Sequence, residues 1–291
     1  MKKIVFIMAF LATFLVSCSN KETAVTVPTV DVPQSTEVIA LKNDLLALNN
    51  EMFGQQIDTK ARWWKYLLTA IADAGVGLIT GNVGFAISAS SLTWTVFKDV
   101  SKTSDNNIES DPVKSVNDPV FATSYLDIDD DCPLEDNDGM IHNQVILNLY
   151  EIYGEDLFDL PEETLLQIVA EEVAAITGCT VEEVVPDIAS ATADMKVYTD
   201  AYLESSSIDE YIEHLKTANP EKSDALDILK ITLEGFQFVD ATVDNGEYAT
   251  RVIEIIDNSN VEEAMKDDLK SSVSIANASA RLWNTDAATE N

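Results

Sequence analysis

The stretch Ala74 to Phe97 carries no charged side chain over 24 residues, and this limits what the chain can fold into more than any other feature. Small residues recur through it and just before it, at Ala70, Ala74, Gly77, Gly81, Gly84, Ser88, Ser91 and Thr95. Their spacing alternates between four and three, which lines them up as one narrow stripe of an α-helix. A stripe without bulk lets a second backbone approach closely. Ile71, Leu78, Ile79, Phe85, Ile87, Leu92 and Trp94 cover the other faces, so the segment is apolar nearly all round and must be buried in protein or in lipid.

Length alone does not separate those two environments. Twenty-four helical residues reach about 36 Å, enough to cross a bilayer, and the preceding Lys60-Ala61-Arg62-Trp63-Trp64-Lys65-Tyr66 has the basic and aromatic character of an interface anchor. Against this, Asp73 stands at the edge of the segment and Asn82 near its middle, among several glycines and hydroxyl residues. The reading favoured here is a helix, or a helical hairpin broken near Gly81-Asn82, packed inside the protein.

The first residues read as an export signal, 1–17, with Lys2 and Lys3 ahead of an apolar run from Ile4 to Phe14. Leu15-Val16-Ser17-Cys18 resembles the lipobox of bacterial lipoproteins, which implies a diacylated Cys18 as the mature N-terminus and a stable membrane anchor. A tether follows over 18–35, rich in Thr, Val and Pro. An amphipathic helix and the small-residue helix make up 36–100. A long acidic, polar loop occupies 101–138, and an acidic helical region, 139–291, completes one domain with 36–100.

Charge is distributed very unevenly. The chain has 18 Lys plus Arg against 51 Asp plus Glu, a net charge of −33. Residues from Leu126 onward hold 39 of the acids and eight of the bases. Phosphate contacts need a basic patch, so a nucleic-acid partner is excluded.

Within the acidic loop, Asp127, Asp129, Asp131, Asp136 and Asp138 supply the alternating oxygens by which Ca²⁺ is chelated. The pattern departs from a calcium loop, because Cys132 stands where Gly is needed. A solvated acidic loop is the competing and preferred reading, and no cofactor is expected otherwise. Cys132 and Cys179 either form a bridge or remain two mostly buried thiols.

From Gly139 on, the pattern is helical. Ile141, Val145, Leu149 and Ile152 share a face that ends at Gly154, and Pro161 opens a helix stopped by Gly178. Thr180-x-x-Glu183, Ser207-x-x-Glu210 and Asn260-x-x-Glu263 read as helix starts, and Asn219-Pro220 as another. The closing helix has its own small residues, Ser272, Ala276, Ser279 and Ala280, suited to pack on the first stripe. The result is an all-α fold, an irregular helical bundle around a buried small-residue element.

The chemistry-bearing residues are few. Of two histidines, His214 reads as an exposed helix residue. His142, in Gly139-x-x-His142-Asn143, reads as buried or capping sooner than as a base or ligand. No nucleophile elbow, phosphate loop or zinc set is present in the sequence.

Three motifs together resemble a group of uncharacterised exported bacterial proteins, many of them lipoproteins. They are the basic Trp segment running into the small-residue helix (Arg62 to Ser91), Gly139-x-x-His142-Asn143, and the closing helix from Ser274 to Trp283. The resemblance spans roughly residues 60–283 and implies one architecture without assigning catalytic residues. The expectation is a non-enzymatic, lipid-anchored protein of the outer membrane of a diderm bacterium, facing either side. Its partners are the membrane, through the lipid, and a protein or ligand. The alternative is a membrane-active protein that inserts residues 62–100.

Overall fold

The structure is a computed structural model that describes residues 34–54, 64–92, 138–205, 207–236 and 245–282. Every regular element among them is helical, as the sequence pattern predicts. In chain order these are α1 (Thr36–Phe53), α2 (Trp64–Thr80), α3 (Val83–Leu92), α4 (Asp138–Tyr153), α5 (Glu162–Thr177), α6 (Val181–Val184), α7 (Ile188–Glu204), α8 (Ile208–Ala218), α9 (Ser223–Phe236), α10 (Asn245–Asn258) and α11 (Glu263–Leu282). Short 3₁₀ turns, Gly154–Asp159 and Pro220–Lys222, precede α5 and α9.

Local chemistry sets most of the helix ends. Ser35 caps α1 by accepting the Val38 N–H at 3.2 Å, and α1 then buries Val38, Leu41, Leu45 and Leu48 along one stripe. Thr180 and Glu183 form the reciprocal capping box expected of them at α6. Ser207 caps α8, and Gly178, at φ +74°, ends α5 in the left-handed region. The helix opened by Thr180 stops after one turn, because Pro186 forces Val185 into extended backbone, and Asp187 caps a new helix, α7. One expectation is corrected: Asn260 does not cap the closing helix, which begins at Glu263.

The small-residue segment is a broken helix. Gly81 takes φ +58° and is exposed; α2 ends there, and Asn82 starts α3 by accepting the Gly84 N–H at 2.8 Å. A Cβ placed on Gly77 would lie 3.7 Å from the Cβ of Ala86. Nine residues along a continuous helix would separate them by about 13 Å, so the chain folds back on itself. The stripe is thereby split. Ala70, Ala74 and Gly77 lie buried on α2, and Gly84, Ser88 and Ser91 lie buried on α3. Gly81 is a hinge between the two halves, and a Cβ there would approach only the Asp268 carboxylate, at 3.7 Å.

α11 is the main partner of α2 and also packs on α4, α9 and α10. The pairing of two small-residue helices expected from the sequence is therefore present. The apolar side chains form two clusters. The larger joins α1, α2, α7–α11 and Ala89 of α3 around Leu41, Leu45, Ile71, Leu78, Tyr211 and Phe236. The smaller joins α3, α4, α5, α6, Ala191 of α7 and the last residue of α11 around Ile87, Val145, Ile146, Leu157 and Val169. No single helix among the described residues is long and apolar enough to cross a membrane.

Candidate functional site: a buried polar seam

Between the two clusters, α2, α4 and α11 enclose a group of polar side chains. Among the described residues Asp73 is the only carboxylate in the buried set, and it is fully inaccessible. His142 is fully inaccessible too, with its Nε2 3.4 Å from Asp73 Oδ2. The same carboxylate oxygen accepts a hydrogen bond from the Ser279 hydroxyl on α11. On the other side of the imidazole, Nδ1 lies 2.9 Å from Asn143 Oδ1, while Asn143 Nδ2 donates to the Ala278 carbonyl at 2.9 Å.

The Gly-x-x-His-Asn motif gains a physical meaning here. Residues 138, 139, 142 and 143 fall on one face of α4, and each of them meets α11 or α2. Asp138 accepts from the Ser271 hydroxyl. Gly139 donates its N–H to Ser274 Oγ at 3.1 Å, and a Cβ at this position would sit 2.3 Å from the Ser274 carbonyl oxygen. Only glycine lets the first turn of α4 lie against the α11 backbone. The motif is a docking face, and its histidine and asparagine reach across it.

Burial drives the Asp73 carboxyl above its ordinary range, because desolvation outweighs the opposing help from His142, Ser279 and Ser90. Burial, with a further contribution from Asp73, also raises the phenols of Tyr202 and Tyr211, so both stay neutral. Tyr211 OH lies 3.5 Å from the Ala72 carbonyl, on the flank of the site. Ser279 gives its hydrogen to Asp73 and not to His142, so the constellation is not a relay that activates a serine.

The other sequence candidates lie apart from this seam. His214 is exposed on α8, 3.3 Å from Ser205 Oγ. Cys179 is exposed, contrary to the buried thiol expected as the alternative to a bridge, while Cys132 lies outside the described residues. Also outside them are Cys18, Asp127, Asp129, Asp131 and Asp136. Among the described residues no group of three His, Cys, Asp or Glu side chains could hold a metal ion. Sequence reasoning missed Asp73 and its partnership with Ser279. The available signal was a single carboxylate within an otherwise apolar helix, a position that costs several kcal/mol unless a partner waits for it.

Compared with protein-family models, with curated proteins and with solved structures, the chain matches none.

Proposed function

We propose that this chain is a lipid-anchored protein of the bacterial cell envelope whose acidic, all-α domain binds a partner or ligand. Residues Thr69 to Leu78 of α2 are buried without interruption inside the chain's own fold, and this observation carries the reading. The apolar segment that most invites a membrane is occupied as a core element, leaving Cys18 as the attachment point through the Leu15-Val16-Ser17-Cys18 pattern. The resemblance to exported bacterial lipoproteins supports the same placement, at the outer membrane of a diderm bacterium. The acidity favours a partner with basic groups over another acidic surface.

Liposome flotation of the mature chain, starting at residue 18 with Cys18→Ser, tests the reading. The unlipidated chain is expected to stay at the bottom of the gradient as a folded, helical protein, and the wild-type chain to float. If the Cys18→Ser chain floats, or releases a trapped dye, the segment 62–100 is a membrane element and the membrane-active alternative replaces this one.

A further inference from the structure

The hydrogen-bond directions around His142 leave one proton to be placed. The Ala278 carbonyl can only accept, so the amide of Asn143 must turn its nitrogen toward Ala278 and its oxygen toward the imidazole. Nδ1 of His142 therefore carries a hydrogen and donates it. Nε2 makes no other hydrogen bond and faces Asp73 Oδ2 at 3.4 Å. A bare Nε2 opposite a carboxylate would set two lone pairs against each other, in a place without access to solvent. A proton on either atom turns that opposition into attraction.

We infer that Asp73 and His142 hold one proton between them in the folded protein at neutral pH, and that this proton fastens α4 to α2. The groups facing the pair are Ser90 from α3, Asn143 from α4 itself, Ser279 from α11, and the neutral phenols of Tyr202 and Tyr211 from α7 and α8. Among the described residues no Lys or Arg makes an ion pair with Asp73, and His142 is the basic side chain that faces it.

The consequence is a dependence of stability on pH with a definite sign. In the unfolded chain Asp titrates near 3.9 and His near 6.5. Above about pH 6.5 the unfolded pair holds no proton and the folded pair still holds one, so unfolding releases a proton and stability falls as pH rises. Below about pH 3.9 the unfolded pair holds two, and stability falls as pH falls. Between those limits the pair contributes no slope. The domain thus loses stability on the alkaline side of neutrality while the α2–α4 contact keeps its proton in the folded state.

The test is the unfolding equilibrium of the Cys18→Ser chain between pH 7 and 8, above the range in which the unfolded pair binds its proton. The folding constant is expected to fall up to about tenfold over that unit, with about one proton released per chain unfolded. Asp73→Asn keeps an acceptor for Ser279 and should abolish the slope. A wild-type chain without the slope, or an Asp73→Asn chain that retains it, overturns the inference. Should Asp73→Asn fail to fold, imidazole nitrogen NMR of the wild-type chain decides, since it has only two histidines. The His142 signals should report a shared proton that is unchanged from pH 6 to 8; His142 signals that move over that range overturn the assignment.

Discussion

Two junctions in this protein bury polar side chains between helices, and they do so with opposite chemistry. Where α1, α9 and α10 meet, Tyr248 reaches Asn49 Oδ1 at 2.7 Å and the Thr232 carbonyl at 3.1 Å, and Asn49 Nδ2 donates to the Ile231 carbonyl at 2.9 Å. Phe53 and Phe236 pack their rings edge-on against Tyr248, with centroids 5.4 and 4.9 Å away. Every group there is neutral, and burial pushes the Tyr248 phenol further from ionisation. The α2–α4–α11 seam instead buries an acid and a base. The first kind of junction is equally strong at any physiological pH. The second is only as strong as its protonation allows.

The sharpest way to break the comparison is at the acid. Asp73→Ala removes the acceptor of Ser279 and the partner of His142 and leaves a small void, which is expected to cost about 3 kcal/mol at pH 7. Denaturant midpoints measure it. A cost below about 1 kcal/mol would mean the seam is packing alone, with the polar atoms along for the ride.

Next in size come the two glycines that permit these junctions. Gly139→Ala drives a Cβ to 2.3 Å from a backbone oxygen of α11, and neither helix can yield without opening the seam. The expected cost is about 2–3 kcal/mol, at the upper end for overpacking. Gly235→Ala meets the Tyr248 hydroxyl at 1.8 Å, its ring carbon Cζ at 2.3 Å and Asn49 Oδ1 at 2.6 Å, and the buried ring is held between Phe53 and Phe236. It should cost about as much, with loss of the Tyr248 hydrogen bonds as part of the effect. A much smaller cost would show that the neutral junction yields more easily than the seam.

Much of this architecture was legible because it is local. The Thr180 and Ser207 caps, the Gly178 stop and the apolar stripe of α1 each depend on residues within a few positions of one another. The pairing of the small-residue stripe with the closing helix was legible too, since both helices lack bulk on a matching face. What could not be read was which residues those faces bring together. His142 and Asn143 stood out as a motif, but their partners Asp73, Ala278 and Ser279 come from distant parts of the chain. Gly81 reads both as a member of the stripe and, with Asn82, as the site of a break; periodicity cannot tell a packing glycine from one that takes positive φ and ends the helix, and the structure shows the break.

Tyr248→Phe separates the neutral junction from the seam by its indifference to pH. It keeps the ring contacts and removes the hydroxyl, leaving Asn49 Oδ1 with one partner fewer, for a cost of about 1–2 kcal/mol. Measured at pH 6 and again at pH 8.5, the cost should not change. A change would tie the phenol to a titrating neighbour and erase the distinction between the two sites.

A smaller effect, with a pH window of its own, belongs to the surface bridge between α1, α8 and α9. Burial pushes the Asp227 carboxyl up, but its hydrogen bonds to Lys216 and Lys42, both 2.9 Å, outweigh that and hold it below the ordinary range. Its contribution is therefore present above about pH 3.9 and lost as pH falls through the lowered value. Asp227→Asn should cost about 1 kcal/mol at pH 7 and nothing once the wild-type carboxyl is protonated. Comparing acid-unfolding midpoints of the two chains reads this directly. The bridge fails on the acid side, where the seam is expected to fail on the alkaline side as well.

The smallest effect expected is at Arg251, which joins α10 to α1 through one guanidinium nitrogen placed 3.0 Å from each oxygen of Glu51. The two helices are the same ones that Tyr248 and Asn49 connect beneath. Both side chains reach solvent, so salt screens their attraction and holding them costs side-chain entropy. Arg251→Ala should therefore cost under about 1 kcal/mol, and less in 0.5 M salt than at low salt. Combined with Tyr248→Phe, the two losses should add, since the buried network does not rely on the charge above it. A cost well above this, unmoved by salt, would mean that surface charge holds α10 to α1. The contrast between a junction blind to pH and a seam governed by it would then have to be redrawn.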